Sequence, residues 1–268
     1  MNQHLKEHLI RLADSVYNHT APELPRNCSL PPEPVAALNQ YFDAIWVLTI
    51  RRNAERRGHM QEQLAGVRFE FFEGVDGTTL RGGDERIDLE GACALARRSV
   101  RVNELAATMS HVRMFQAVVD RGLQRVLIFE DDAVLLAPQA HWIQYVLERM
   151  PAGWEFLYFG YLDGELRGYL RELQERLGRR RDPAEVVART VGRGLRTAAG
   201  HECIHAYGIT LAGARKLVEG AYPIRHTADG WVEHNVLGRR IEAYISVPKI
   251  FVQRSDLGSS IHMTRGKR

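Results

Sequence analysis

Three consecutive carboxylates, Glu130, Asp131 and Asp132, follow directly on the apolar run Val126-Leu-Ile-Phe129. Such a run suits a strand buried on both faces, and open α/β sheets bind ligands beyond the carboxyl ends of their strands. Adjacent carboxylates repel one another and are relieved by a hard divalent cation, which takes oxygen ligands and bridges readily to phosphates. Manganese or magnesium fits that chemistry. The same triplet also suits an acidic loop, or a helix N-terminus favoured by the macrodipole.

The elements that must position these acids follow from hydrophobic periodicity. Ala44 to Ile50 is a short apolar, β-branched run and predicts a buried strand. Asn53 can cap a helix through Ala65, and Val67 to Phe72 returns as a strand before the Asp76-Gly77 turn, giving a βαβ unit. Leu80 to Arg101 is weakly patterned; Asn103 then opens a helix through Asp120, closed by Gly122. Further on the pattern predicts a helix over 141–149, strands over 156–159 and 205–210, a helix over 211–219 and a last strand over 243–247. This alternation predicts an α/β domain with a mostly parallel sheet. Leu5, Leu9, Leu12 and Val16 give residues 2–17 one helical apolar stripe, and five prolines between Ala21 and Pro34 predict a linker. The expected division is a helix and linker over 1–40 and one domain over 41–268.

The chain has 268 residues, 45% hydrophobic and 26% charged, with a net charge of +3, which excludes a disordered or fibrous protein. No run approaches the roughly 18 apolar residues of a membrane span, and residues 1–10 lack the apolar core of a signal peptide. Cys28, Cys93 and Cys203 are widely spaced, without a Cys-x-x-Cys pattern, so the chain reads as cytoplasmic. Charge is uneven: residues 165–200 carry nine arginines against five acids, a net of +4, which leaves −1 for the remainder. This stretch predicts a helical insertion over about 164–200, two helices broken near Arg181-Asp-Pro183. It could attract anionic lipid headgroups, attaching the protein peripherally to the inner face of a membrane. A solvated helical face is the plainer expectation, and the overall charge is too mild to indicate nucleic acid.

Val126-Leu-Ile-Phe-Glu-Asp-Asp132 closely resembles the acidic motif of glycosyltransferase family 25, which includes bacterial lipopolysaccharide and lipooligosaccharide galactosyltransferases and collagen-modifying enzymes. Leu48 to Met60 resembles that family's opening strand and Arg-rich turn, Val75-Asp-Gly77 its short motif after the second strand, and Glu104 to His111 its helix ending in Ser-His. Trp154 to Gly160, Tyr207 to Leu217, Asp229 and Gln253 to Ile261 follow in order, so the likeness extends over roughly residues 44 to 262. Thr49 stands where the family often has Asn, and Ala106-Ala107 where it usually has Gly-Cys.

The resemblance implies a GT-A type nucleotide-sugar-binding fold, a UDP-sugar donor and a divalent cation held by the acidic motif. Asp132, helped by Glu130 or Asp131, is the expected ligand, with His262 a further ligand or a solvated tail residue. Inverting transfer needs a base for the acceptor hydroxyl; Asp229 is the candidate, although Asp229-Gly230 is also a common turn dipeptide, and Asp163 and Glu233 are reserves. Thr49, Arg51 and Arg56 are candidates for uracil or phosphate, and Asp76 for ribose. Ser110 and His111, mid-helix, are binding candidates, although a lone histidine there is also an ordinary core residue. Gln253, Ser255, Asp256 and Ser259 could close over the nucleotide.

Three functions are then in play. The first is metal-dependent, inverting transfer of galactose from UDP-galactose to a saccharide or glycolipid acceptor in cell-surface glycan assembly, with glucose and N-acetylglucosamine as competing sugars. The second, phosphoryl or nucleotidyl transfer, lacks the GxxxxGK[ST] loop it would want. The third is a non-catalytic protein that binds anions or glycans through the arginine-rich segment.

Overall fold

A computed structural model describes residues 29–80, 84–162 and 189–254. The first half contains α1 (Pro32–Tyr41), β1 (Ala44–Thr49), α2 (Ala54–Gln63), β2 (Glu70–Glu73), α3 (Leu89–Ala96), α4 (Val102–Arg121), β3 (Arg125–Glu130), β4 (Ala133–Leu135) and α5 (Trp142–Leu147). The second contains β5 (Phe156–Leu162), β6 (Thr190–Gly192), β7 (Leu195–Thr197), β8 (Glu202–Thr210), α6 (Leu211–Val218), α7 (Ala228–Leu237), β9 (Ala243–Ser246) and β10 (Phe251–Gln253).

One sheet, in the order β2-β1-β3-β8-β5-β9-β7-β6, organises the domain, with β10 pairing beside β4 and β5. Helices cover both faces, and the period-2 alternation of the central strands sorts side chains between two cores. Trp46, Ile128, Phe156 and Tyr158 join α4, α6 and α7 on one face. Their neighbours Val47, Leu127, Phe129, Leu157 and Phe159 join α1, α2 and α5 on the other. The β1-α2-β2 unit is parallel as expected, and β3 runs parallel to β1 on the other side, bringing the carboxyl ends of β1 and β3 together.

The sheet is mixed, however, and not mostly parallel. β8 lies antiparallel to both β3 and β5 at its centre, while β5 and β9 are parallel. A strand covered on both faces is apolar whichever way it runs, so composition carries no record of its direction. Three further expectations are corrected. The proline-rich stretch gives way to α1, with Pro31 at the cap and proline in the first turn, where the missing N–H has no helical partner to lose; α1 packs on α5. Residues 190–197 of the arginine-rich insertion form a β-hairpin on the sheet edge, not helix. Leu89–Ala96 is a helix capped by Asp88, whose Oδ1 accepts from the Gly91 N–H at 2.7 Å. Residues 2–17 and the two helices expected around Arg181 lie outside the described residues. Among the described residues no helix is long and apolar enough to cross a membrane.

Where β5 passes β8 and β10, a Cβ on Gly160 would lie 2.3 Å from His205 Nε2 and 3.0 Å from the Phe251 carbonyl oxygen. His205 Nε2 is itself 3.1 Å from that carbonyl. The glycine lets three strands and a buried imidazole meet. Gly160→Ala should displace His205 and lower stability by about 1–3 kcal/mol, read as a lower urea midpoint.

Candidate functional site

The acidic motif lies at the carboxyl end of β3, beside the turn that leaves β1. The three carboxylates take three different environments. Asp131 turns inward. The Thr49 hydroxyl donates to its Oδ2 at 2.6 Å, Asn53 Nδ2 donates to the same oxygen at 3.2 Å, and Arg56 Nη1 donates to Oδ1 at 2.5 Å. Asn53 sits at the cap position of α2 but makes no side-chain cap bond; its amide serves Asp131 instead. Thr49, Arg56 and Asp131 are all buried, so the clamp is shielded from water and from salt.

Asp132 is different. Arg56 Nη1 reaches its Oδ2 at 3.3 Å and Gln253 Nε2 donates to the same oxygen at 3.3 Å. Its other oxygen, Oδ1, is buried with no hydrogen-bond partner among the described residues. Burial, and then the charges of Glu130 and Asp131 against the pull of Arg56, push the Asp132 carboxyl up to about 7. Glu130 is partly exposed, and its Oε1 lies 3.2 Å from His111 Nε2. Burial works against its charge, but the His111 bond, with help from His205 and Arg56, holds its pKa below the usual glutamate value.

A cleft opens over Glu130, Asp131 and Asp132 and runs beneath the β1–α2 turn and the loop after β2. Thr49, Arg56, Asp76, Ser110, His111 and Gln253 all line it. Thr49 and Arg56 contribute chiefly by holding Asp131. Ser110 accepts from the Val75 N–H and donates to the Ala106 carbonyl, both at 2.8 Å, so it pins the loop after β2. Asp76 accepts from the Thr78 N–H at 2.9 Å and hydroxyl at 2.7 Å, and pairs with Arg52. Burial opposes the charge on Asp76, but Thr78 and Arg52 together hold its pKa below the usual carboxylate range. Gly77 closes that wall, since a Cβ there would strike Asn103, 2.3 Å from its Oδ1.

Arg51 does not line this cleft. It is exposed and pairs with Glu73, and its neighbour Arg52 faces the cleft instead. Arg52, Asn53 and Asn103 are lining residues that sequence reasoning missed; a turn of three polar residues after a strand gives no sign of which one points inward. Asp229 is not in a loop. It opens α7 behind the Thr227 cap, with Oδ1 accepting from the Gly230 N–H at 2.9 Å and Oδ2 from the Cys203 N–H at 3.4 Å. Cys203 has a left-handed φ of 62°, a costly conformation for a side-chain-bearing residue. Burial, then the charges of Asp229, Glu130, Glu202 and Asp132, push its thiol well up. Cys203 thus feels the charge of Asp229 and of the acidic motif, but Asp229 is not among the residues that line the cleft. Asp163, Ser255, Asp256, Ser259 and His262 lie outside the described residues.

The family model for glycosyltransferase family 25, described as an LPS biosynthesis protein family, matches residues 42–232. The chain belongs to glycosyltransferase family 25. Among its family 25 relatives, the mouse protein named "Inactive glycosyltransferase 25 family member 3" is 27% identical over 201 residues, covering 71% of this chain and 31% of the relative. The human protein of the same name is 28% identical over 195 residues, covering 69% of this chain and 30% of the relative. This family 25 chain therefore spans about a third of the length of those relatives. A solved structure, A197 from STIV, aligns over 84% of this chain and 97% of its own at 12% identity, with a TM-score of 0.26.

Whether a divalent cation suits this site depends on Asp132. Among the described residues no three His, Cys, Asp or Glu side chains converge as a ready-made cage. Magnesium-type sites in phosphate-using enzymes need fewer, since one or two carboxylates, waters and substrate phosphates complete the shell. A buried, unpartnered carboxylate oxygen at the cleft, beside Glu130, meets that requirement; Asp131, with both oxygens engaged, does not.

The raised Asp132 pKa also has a sign. A carboxyl moved from 3.8 to about 7 favours the folded chain when protonated, so stability is lost as pH rises from about 4 through about 7. Asp132→Asn removes that loss. The ligand-free variant should be more stable than the parent at pH 8 by roughly 1–4 kcal/mol, with the gain fading toward pH 4 in thermal unfolding scans.

Proposed function

We propose that this chain is a metal-dependent, inverting glycosyltransferase of the GT-A type that moves galactose from UDP-galactose to a saccharide hydroxyl of a cell-surface glycan. The observation that carries the reading is Oδ1 of Asp132, which has no partner among the described residues and is buried at a cleft in which Glu130 is a second carboxylate, in a chain of family 25. Asp132 with Glu130 would hold the cation, which when bound supplies Lewis-acid stabilisation of the departing diphosphate. The chain's own residues do the rest. Arg52 and Asp76 form a polar wall suited to ribose and phosphate, and Ser110 fixes the loop that carries Asp76. Gln253 and Arg56 hold Asp132 by one oxygen and leave the other free for a ligand. Asp229, whose Oδ2 accepts from the Cys203 N–H, is the proposed base that takes the acceptor hydroxyl proton as that oxygen attacks the anomeric carbon.

A second reading is favoured by the names of the mouse and human relatives, which are called inactive. In that case the cleft binds a nucleotide sugar or glycan without turnover.

Release of UDP from a panel of UDP-sugars, with manganese and with chelator, separates the two. Slow hydrolysis confined to UDP-galactose, lost with chelator and in Asp132→Ala, is the expected outcome. Asp229→Asn should lower turnover at least 100-fold, within the range for a general base, while leaving UDP affinity unchanged. Saturable UDP binding without release from any sugar would favour the inactive reading.

A further inference from the structure

Behind Glu130 runs a buried chain of polar groups. Tyr207 lies in the middle of β8, its ring stacked on Phe156 at 4.7 Å and 12°. Its oxygen is 2.8 Å from His111 Nδ1, and His111 Nε2 is 3.2 Å from Glu130 Oε1. Tyr207 and His111 are 0% and 1% exposed, so each proton between them needs a partner within the protein.

Counting those protons selects one arrangement. With the imidazole neutral and protonated on Nε2, the Tyr207 hydroxyl donates to the bare Nδ1, and Nε2–H donates to the carboxylate. Every donor is then satisfied. With the proton on Nδ1 instead, the bare Nε2 faces a carboxylate oxygen, two acceptors in contact, and the Tyr207 proton has no acceptor among the described residues. A doubly protonated ring also serves Glu130, but it leaves the Tyr207 proton without an acceptor among the described residues.

We propose that Tyr207 and His111 are a positioning relay for the acidic motif. Tyr207 selects the Nε2-protonated tautomer of His111, and that proton holds Glu130 Oε1 inward, so the carboxylate offers its other oxygen to the cleft. A supporting hydrogen bond of this kind fixes a carboxylate's direction, and losing it typically costs 10–100-fold in affinity or activity. The relay rests on the transferase reading for its consequence in turnover, but not for its existence.

The tautomer is read directly by the ¹⁵N shifts of His111 in ligand-free, histidine-labelled full-length protein, the resonance being identified by its loss in His111→Gln. One bare Nδ1 and one protonated Nε2 are expected, with that preference lost in Tyr207→Phe. An imidazolium or an Nδ1-protonated ring in the parent would overturn the proposal. In turnover, Tyr207→Phe should lower kcat about 10–100-fold with KM for the donor nearly unchanged. His111→Gln carries an amide that can itself donate to Glu130, so adding Tyr207→Phe to it should cost less than about twofold. An equal loss in both backgrounds would mean that Tyr207 does not act through His111. Should the parent show no turnover, the transferase reading fails while the tautomer still decides the relay.

Discussion

The buried contact between Arg56 and Asp131 ties the two halves of the site together. Asp131 ends β3, Arg56 lies in the first turns of α2, and Thr49 and Asn53 close the same carboxylate from the end of β1 and its turn. Two parallel strands brought side by side leave their carboxyl ends open to water, and the turn between β1 and α2 has no regular ladder to hold it. Three donors on one buried carboxylate supply that hold. An ion pair in such a place is costly to desolvate, and its worth lies in fixing one arrangement more than in net stability.

Once Asp131 is engaged, the acids beside it need not behave alike. Arg56 Nη1 lies 3.3 Å from Asp132 Oδ2, against 2.5 Å from Asp131, and Gln253 adds a neutral donor to the same Asp132 oxygen. The result is a carboxylate in a poorly solvated place with half of its acceptor capacity unused, which suits a ligand site better than a structural one. Glu130 is served from behind by His111 and Tyr207. On the proposed reading, three adjacent acids divide into an anchor, a ligand group and a positioned neighbour, a distinction made by the residues around them and not by the acids themselves.

That layering also explains what was legible in the sequence. The apolar run 126–129 followed by three acids placed the motif at a strand end, and the helix 102–121 that carries Ser110 and His111 was plain from its period. Strand direction was not legible for β8, because both of its faces are buried and its sequence connection passes through the arginine-rich stretch, which was expected to hold two helices. Asp229 read as a turn because Asp-Gly is a common turn pair; its place behind the Thr227 cap depends on α7, whose stripe of Trp231, Val232, Asn235 and Val236 is interrupted by a buried asparagine. Tyr207 carried no signal as a partner of His111, since 96 residues separate them and they meet only where α4 packs over the sheet.

The mouse and human relatives are named inactive, and on the proposed reading turnover by this chain depends on the division of roles among the acids. Calorimetric titration of manganese into UDP-saturated protein, comparing Asp131→Asn with Asp132→Asn, tests it most directly. The account predicts that Asp132→Asn abolishes manganese binding in a stably folded protein. Asp131→Asn should still bind manganese while losing roughly 3 kcal/mol of stability, the scale for breaking a buried ion pair. Manganese binding that survives in Asp132→Asn and disappears in Asp131→Asn would contradict it.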